Sequence, residues 1–146
     1  MRRFLGIFLL LAGVLAAPAW AAERPSLRDP PDLAQVRGLI KAEKFAEAIT
    51  DLDQRVALGA DHADIYNLLG FSHRKLGDLA KAAVHYERAL KLDPDHASAL
   101  EYQGEMFVMM RDLDRARKNL ARLVQLCPNG CEEREDLEKA IAAAEN

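Results

Sequence analysis

Helical periodicity of apolar residues begins near Asp32, and turn residues interrupt it at intervals along the rest of the chain. Gly77-Asp78 separates one amphipathic segment from the next, because a glycine followed by an N-capping residue ends one helix and starts another. Pro94 ends the second segment, because proline lacks the amide that a helix interior needs. A further amphipathic segment covers residues 132–145. The pattern therefore predicts an all-α chain of short helices.

Two stretches of the chain repeat each other at an offset of 34 residues. The repeated positions are small residues, prolines and a short loop motif. Gly70, Ala82 and Pro94 return as Gly104, Ala116 and Pro128, and Asp61-His62-Ala63 returns as Asp95-His96-Ala97. A period of 34 with small residues at fixed places is typical of a solenoid of helix–turn–helix units.

One unit, residues 63–96, carries a recognisable motif. Its defining positions are Tyr66, Leu69-Gly70, Ala82, Tyr86, Ala89 and Pro94, and in this it resembles the tetratricopeptide repeat. Residues 97–130 match the pattern less completely, and residues 29–62 keep only a few positions. Residues 132–145 place Leu137 and Ile141 at core positions, which predicts a capping helix. The resemblance implies a right-handed α-solenoid of about three repeats plus this cap, over residues 32–146.

The first residues are expected to lie outside the solenoid. Arg2 and Arg3 precede an apolar run over residues 4–15, and small residues around Trp20 form a cleavage site after Ala21. We predict a cleavable signal peptide over residues 1–21, a proline-rich linker over residues 22–31, and a periplasmic location. An uncleaved anchor is the alternative, because residues 4–22 carry no charge and are nearly long enough to span a bilayer.

Charge and motif content narrow the range of functions. The net charge is −3, and it becomes −5 when the predicted signal peptide, with Arg2 and Arg3, is removed. A chain with this mild negative charge does not attract nucleic acid electrostatically. The sequence also has no basic stripe alternating with aromatic residues, which a single-strand binding surface would need. We expect protein or peptide partners, no nucleic acid, and no membrane contact unless the anchor is retained. The sequence has no Gly-rich phosphate loop and no nucleophile elbow, so neither enzyme activity nor a cofactor is predicted.

In tetratricopeptide arrays the first helix of each repeat lines a concave groove. Carried onto this chain, the resemblance implies a groove that is basic at its N-terminal end, aromatic in the middle and acidic at its C-terminal end. Its residues are Arg37, Lys41, Asn67, Phe71, Arg74, Glu101, Tyr102 and Glu105. Such a surface suits a peptide or helix that is anchored by an apolar side chain and oriented by charge. The alternative is a set of ordinary solvated helix faces.

A carboxylate-clamp ligand is not predicted. Family members that hold a terminal carboxylate use a Lys/Asn/Arg set across three repeats, and Asn67 alone resembles part of it.

Cys127 and Cys131 are the only cysteines, and they flank a Pro-Asn-Gly turn. In an oxidising compartment this spacing predicts a local disulfide beside the capping helix. A redox-active or metal-binding pair is the alternative, although the C-x-x-C spacing and a nearby His ligand are both absent from the sequence. The histidines are interpreted as structural, with His73 in the core and His85 exposed.

The sequence thus predicts a protein–protein interaction module, acting as an adaptor, assembly factor or scaffold in the bacterial periplasm or cell envelope. Two alternatives stay open. One is a small thiol-redox or metal-handling factor that uses Cys127 and Cys131, and the other is a membrane-tethered scaffold that keeps its N-terminal anchor.

Overall fold

The structure is a computed structural model, and it describes residues 31–146. The predicted signal peptide and nearly all of the predicted linker lie outside these residues. The described part of the chain contains seven helices and no strand: α1 (Ala34–Lys41), α2 (Phe45–Ala57), α3 (Ala63–Lys75), α4 (Leu79–Leu92), α5 (Ala97–Met109), α6 (Leu113–Leu126) and α7 (Glu132–Glu145).

Helices that follow each other along the chain pack together from α1 to α6, and α3 also contacts α5. The last helix, α7, packs against both α5 and α6. This stacking of helix pairs confirms the prediction of an all-α repeat solenoid.

Repeated residues at the helix starts are N-caps. His62 and His96 begin α3 and α5, and the Nδ1 atom of each accepts a hydrogen bond of 3.2 Å from a backbone amide of the first turn. Asp78 and Asp112 begin α4 and α6, and the Oδ1 atom of each accepts from an amide at 3.1 Å. Because the first amides of a helix have no partner within it, these side chains fix where each helix begins.

The turn inside each helix pair uses a left-handed backbone at one repeated position. Gly77 has φ of 82°, and the equivalent residues Glu43 and Arg111 have φ of 56° and 61°. This conformation costs a residue with a Cβ atom roughly 1–2 kcal/mol. The conformational free energy of the outer two turns is therefore less favourable than that of the central turn.

Two repeated glycines allow close helix packing. A Cβ atom on Gly70 would lie 2.7 Å from the ring of Tyr86 in α4, and a Cβ atom on Gly104 would lie 2.5 Å from Cδ2 of Leu137 in α7. Leu137 and Ile141 are both buried. The last helix is therefore held by two buried apolar side chains, and the absence of a side chain on Gly104 makes room for one of them, Leu137.

The buried apolar residues form two clusters. One joins α1, α2 and α3 through residues that include Val36, Leu52 and Ile65. The other extends from α4 to α7 through residues that include Tyr86 and Leu123. The first helices α1 and α3 share one cluster, and α3 also contacts α5, so the three first helices contribute to one face, on which the candidate site lies.

The expectation that His85 is exposed is wrong, because its ring is half-buried. The ring stacks on that of His73, with centroids 5.2 Å apart, and lies 6.3 Å from the ring of Tyr66. Burial lowers the pKa of both histidines. They are packing residues between α3 and α4.

Candidate functional site

The first helices of the three pairs share one cavity. It has a volume of about 240 Å³ and is lined by Arg37, Ile40 and Lys41 of α1, Leu68 and Phe71 of α3, and Tyr102 of α5. Four of the eight residues predicted for the groove, from three different helices, therefore meet around it. We call this the apolar cavity.

An aromatic cluster forms one wall of the apolar cavity. The rings of Phe71 and Tyr102 lie 4.9 Å apart, and Phe45 approaches Phe71 from α2 at 6.2 Å. The ammonium of Lys75 lies 5.2 Å from the centre of the Phe71 ring. Both cavity rings are only partly buried, so each keeps an accessible surface.

Arg74 connects the second repeat to the third from inside the structure. Its guanidinium lies 5.5 Å from the ring centres of Phe71 and Tyr102 and forms an ion pair of 2.7 Å with Glu105. Its side chain is only 8% exposed. This differs from the expected role of Arg74 at the basic end of the groove, because Glu105 neutralises its charge.

Arg37 and Lys41 are the exposed cations at the α1 side of the apolar cavity. The side chain of Arg37 is 59% exposed, and its closest acidic neighbour is Asp64 at 3.9 Å. That distance leaves the guanidinium largely hydrated and free to bind a ligand.

Asn67 lies inside the fold. It is buried, and its Oδ1 atom has no hydrogen-bond partner among residues 31–146. It does not line the apolar cavity. Its predicted place on the groove surface therefore does not match its burial, because α3 packs on this side against a neighbouring helix.

Glu101 occupies a second, acidic cavity between α5 and α7. This cavity has a volume of about 220 Å³ and is lined by Ser98, Glu101, Tyr102, Glu132, Glu133 and Asp136. Glu101 is 7% exposed. Burial and the nearby carboxylates of Glu105, Asp136 and Glu133 raise the pKa of Glu101 to about 8. We call this the acidic cavity.

The α7 residues of the acidic cavity are not among the groove residues predicted from the sequence, which assigned α7 only the role of a capping helix. A signal for them was present. Leu137 and Ile141 take the core positions of one more first helix, so Glu132 and Asp136 take groove positions of that helix. Since α7 contacts α5, these carboxylates extend the groove by one helix.

A further cavity lies at the loops before α3 and α5. It has a volume of about 460 Å³, and its lining includes Asp64 and the capping residues His62 and His96. The Nε2 atom of His96 lies 3.0 Å from Oδ1 of Asp64. Because these side chains are engaged in caps and a link between repeats, we interpret this cavity as structural. Within residues 31–146 no group of three or more His, Cys, Asp or Glu side chains is arranged to hold a metal ion.

Cys127 and Cys131 are joined by a disulfide between α6 and α7, with Cα atoms 6.0 Å apart. Arg134 reinforces the same turn, because it donates to the carbonyl oxygens of Cys127 and Pro128 at 3.4 and 3.3 Å. The bond lies beside the acidic end of the groove and limits the movement of α7 relative to α6. Among the described helices none is long and apolar enough to cross a membrane.

Comparison with known proteins gives consistent matches. Two sequence models described as the tetratricopeptide repeat match residues 63–96 and 98–130. The Hsp70-Hsp90 organizing protein of Triticum aestivum is 40% identical over 58 residues, which cover 40% of this chain and 10% of that protein.

Two bacterial proteins are similar over a longer part of the chain. Cellulose synthase operon protein C of Escherichia coli (strain K12) is 33% identical over 101 residues, which cover 67% of this chain and 9% of that protein. The probable biofilm formation methyltransferase WspC of Pseudomonas putida is 30% identical over 105 residues, which cover 72% of this chain and 25% of that protein. The chain thus spans between about a tenth and a quarter of the length of these relatives.

Proposed function

The chain belongs to the tetratricopeptide repeat family, and from this we propose that it is a non-catalytic adaptor, assembly factor or scaffold that binds a peptide or helix of its partner on the face of α1, α3 and α5. Proteins of this family bind protein partners, and one similar protein is named as an organizer of Hsp70 and Hsp90. The similarity to a protein named as a methyltransferase covers only a quarter of that protein, so it gives no support for catalysis here.

The observation that carries this proposal is the apolar cavity, where side chains from three consecutive first helices converge. Phe71 and Tyr102 supply rigid aromatic surface, which contributes strongly to protein binding because it loses little conformational entropy. An apolar side chain of the partner that enters this cavity would displace water from both rings.

Charge at the two ends of the groove would orient the partner. The exposed cations Arg37 and Lys41 stand on the α1 side, and the carboxylates of the acidic cavity stand on the α7 side. A segment with an acidic end and a basic end fits in one direction and is repelled in the other.

A random peptide library displayed on phage tests the groove. Selection on the full chain should enrich peptides with an apolar anchor, and Phe71→Ala with Tyr102→Ala should weaken their binding by at least about tenfold, as expected for aromatic anchors. Lys41→Glu tests the same surface without changing its packing, because Lys41 is exposed.

A matched control removes apolar surface from the second helices. Val84 and Val124 are 64% and 39% exposed on α4 and α6, so Val84→Ala with Val124→Ala should leave binding unchanged. Thermal melts followed by circular dichroism show whether each variant folds. If the control weakens binding as much as the groove variants do, the binding site lies elsewhere.

We also propose that the chain is exported and acts in the periplasm or envelope. The support is the basic start, the apolar run and the small-residue site before Ala22 in the sequence, together with the Cys127–Cys131 bond, because disulfides persist in oxidising compartments. The intact mass of the protein from the periplasm should be that of a chain without residues 1–21 and without the two thiol hydrogens. A membrane-bound chain of full mass would instead support the tethered scaffold.

A further inference from the structure

We propose that the acidic cavity between α5 and α7 binds a basic side chain, arginine or lysine, of the peptide that occupies the groove. This inference rests on the proposed function and adds the charge of the ligand to it. It predicts that partners carry a cationic residue close in sequence to the apolar residue that fills the apolar cavity.

The carboxyl group of Glu101 is the first indication of a cation site. Glu101 is only 7% exposed, it lines the acidic cavity, and it takes part in none of the ion pairs or side-chain hydrogen bonds formed among residues 31–146. Its only nearby cation is Arg74, which is already paired with Glu105 at 2.7 Å. Ionisation of a carboxyl group in such a place is costly, and a bound cation offsets that cost.

Three further carboxylates line the cavity that contains Glu101. Glu132, Glu133 and Asp136 of α7 face Glu101 across about 220 Å³ of open volume. Ser98 donates to Glu133 at 3.3 Å, which holds that carboxylate at the cavity wall. An ammonium or guanidinium group offers several N–H donors, so it can bond more than one of these oxygens at once.

The acidic cavity adjoins the apolar cavity. Tyr102 lines both cavities, so a peptide that crosses its ring contacts both. The ring is also suited to a cation, because the face of an aromatic ring attracts positive charge.

Proton uptake gives an independent signature. The charged and titratable groups around Glu101 are Arg74 of α3, Tyr102 and Glu105 of α5, and Glu132, Glu133 and Asp136 of α7. Because burial and the neighbouring carboxylates raise the pKa of Glu101 to about 8, the free cavity holds a proton near neutral pH. A cation that binds the ionised form releases this proton, so its affinity should increase with pH by at least about tenfold between about pH 6 and about pH 8.

Ethylguanidinium chloride is a direct probe. In two-dimensional amide NMR spectra of the full chain, it should shift resonances of residues 98–102 and 132–136, and tetramethylammonium, which has no N–H donor, should not. Glu101→Gln and Asp136→Asn should each weaken ethylguanidinium binding by about tenfold, which is the loss of one charge-assisted hydrogen bond. Glu87→Gln, an exposed site on α4, is the matched control and should have no effect.

Peptides from the library provide the second arm. Replacement of their basic residue by citrulline or norleucine should weaken binding to the wild-type chain by about tenfold, and binding to Glu101→Gln by much less. If peptides bind the groove but show no such loss, the cation site is overturned and the groove proposal stands. If ethylguanidinium binds and no library peptide does, the groove proposal fails.

Calcium chloride is the last comparison. If calcium produces the same shifts at lower concentration than ethylguanidinium, the cavity is a metal site, and the proposal of a basic side chain is overturned. Thermal melts of Glu101→Gln exclude misfolding as the reason for lost binding.

Discussion

Replacement of the buried carboxylate in the acidic cavity should make the protein more stable at neutral and alkaline pH. Glu101→Gln keeps the size of the side chain and removes its charge. Because the pKa of Glu101 in the folded protein is raised from 4.5 to about 8, the folded state binds this proton more tightly than the unfolded state. Its contribution to stability is therefore complete below about pH 4.5 and is lost as the pH rises to about 8.

The size of the effect follows from the shift. Each pH unit within this interval removes up to about 1.4 kcal/mol of unfolding free energy, which amounts to roughly 3 kcal/mol at pH 7. Water in the cavity screens part of this, so we expect Glu101→Gln to be about 1–2 kcal/mol more stable than wild type at pH 7. At about pH 4.5 the two proteins should be equally stable, because Glu101 is then protonated in the folded state.

Urea unfolding followed by far-ultraviolet circular dichroism at about pH 5, 7 and 9 measures the difference. The exposed Glu87→Gln variant should follow wild type at every pH. If the unfolding free energies of wild type and Glu101→Gln stay parallel across this pH range, burial does not raise the pKa of Glu101. The electrostatic argument for the acidic cavity is then refuted.

Three further predictions concern the packing of the repeats. Gly104→Ala should destabilise the chain by about 1–3 kcal/mol in urea unfolding, because its Cβ atom would lie 2.5 Å from the buried Leu137. Arg111→Gly should raise the thermal midpoint through a gain of about 0.5–1 kcal/mol, because φ of 61° suits glycine; an unchanged midpoint would show that the turn is unstrained. Cys127→Ser with Cys131→Ser should lower stability by ~1–2 kcal/mol and leave peptide binding unchanged, whereas loss of binding in a folded variant would favour a redox role.

The fold class could be predicted because several of the repeated residues have a local role within their own helix pair. Gly70 lets α3 approach Tyr86 in α4, and His62 and His96 cap the first helices in the same way. A 34-residue pattern is sufficient to indicate such local units.

The environment of individual groove side chains could not be predicted from the 34-residue repeat. Arg74 belongs to the basic end by sequence position, but its charge is neutralised by Glu105 once α3 and α5 stack. Glu101 looks like any exposed glutamate until α7 covers it with Glu133 and Asp136. Both outcomes depend on contacts between helices of different repeats, which the spacing within one repeat does not specify.

The share of the core that each helix contributes should determine how easily that helix opens. The cluster of α1, α2 and α3 is separate from the cluster of α4 to α7, and α1 contains a single fully buried residue within its helix, Val36. Amide hydrogens of α1 should therefore exchange with solvent through local unfolding of that helix. Amide hydrogens around Tyr86 and Leu123 should exchange only when a much larger part of the array unfolds. The basic side of the groove therefore lies on a helix that should open more often than the central helices around Tyr86 and Leu123.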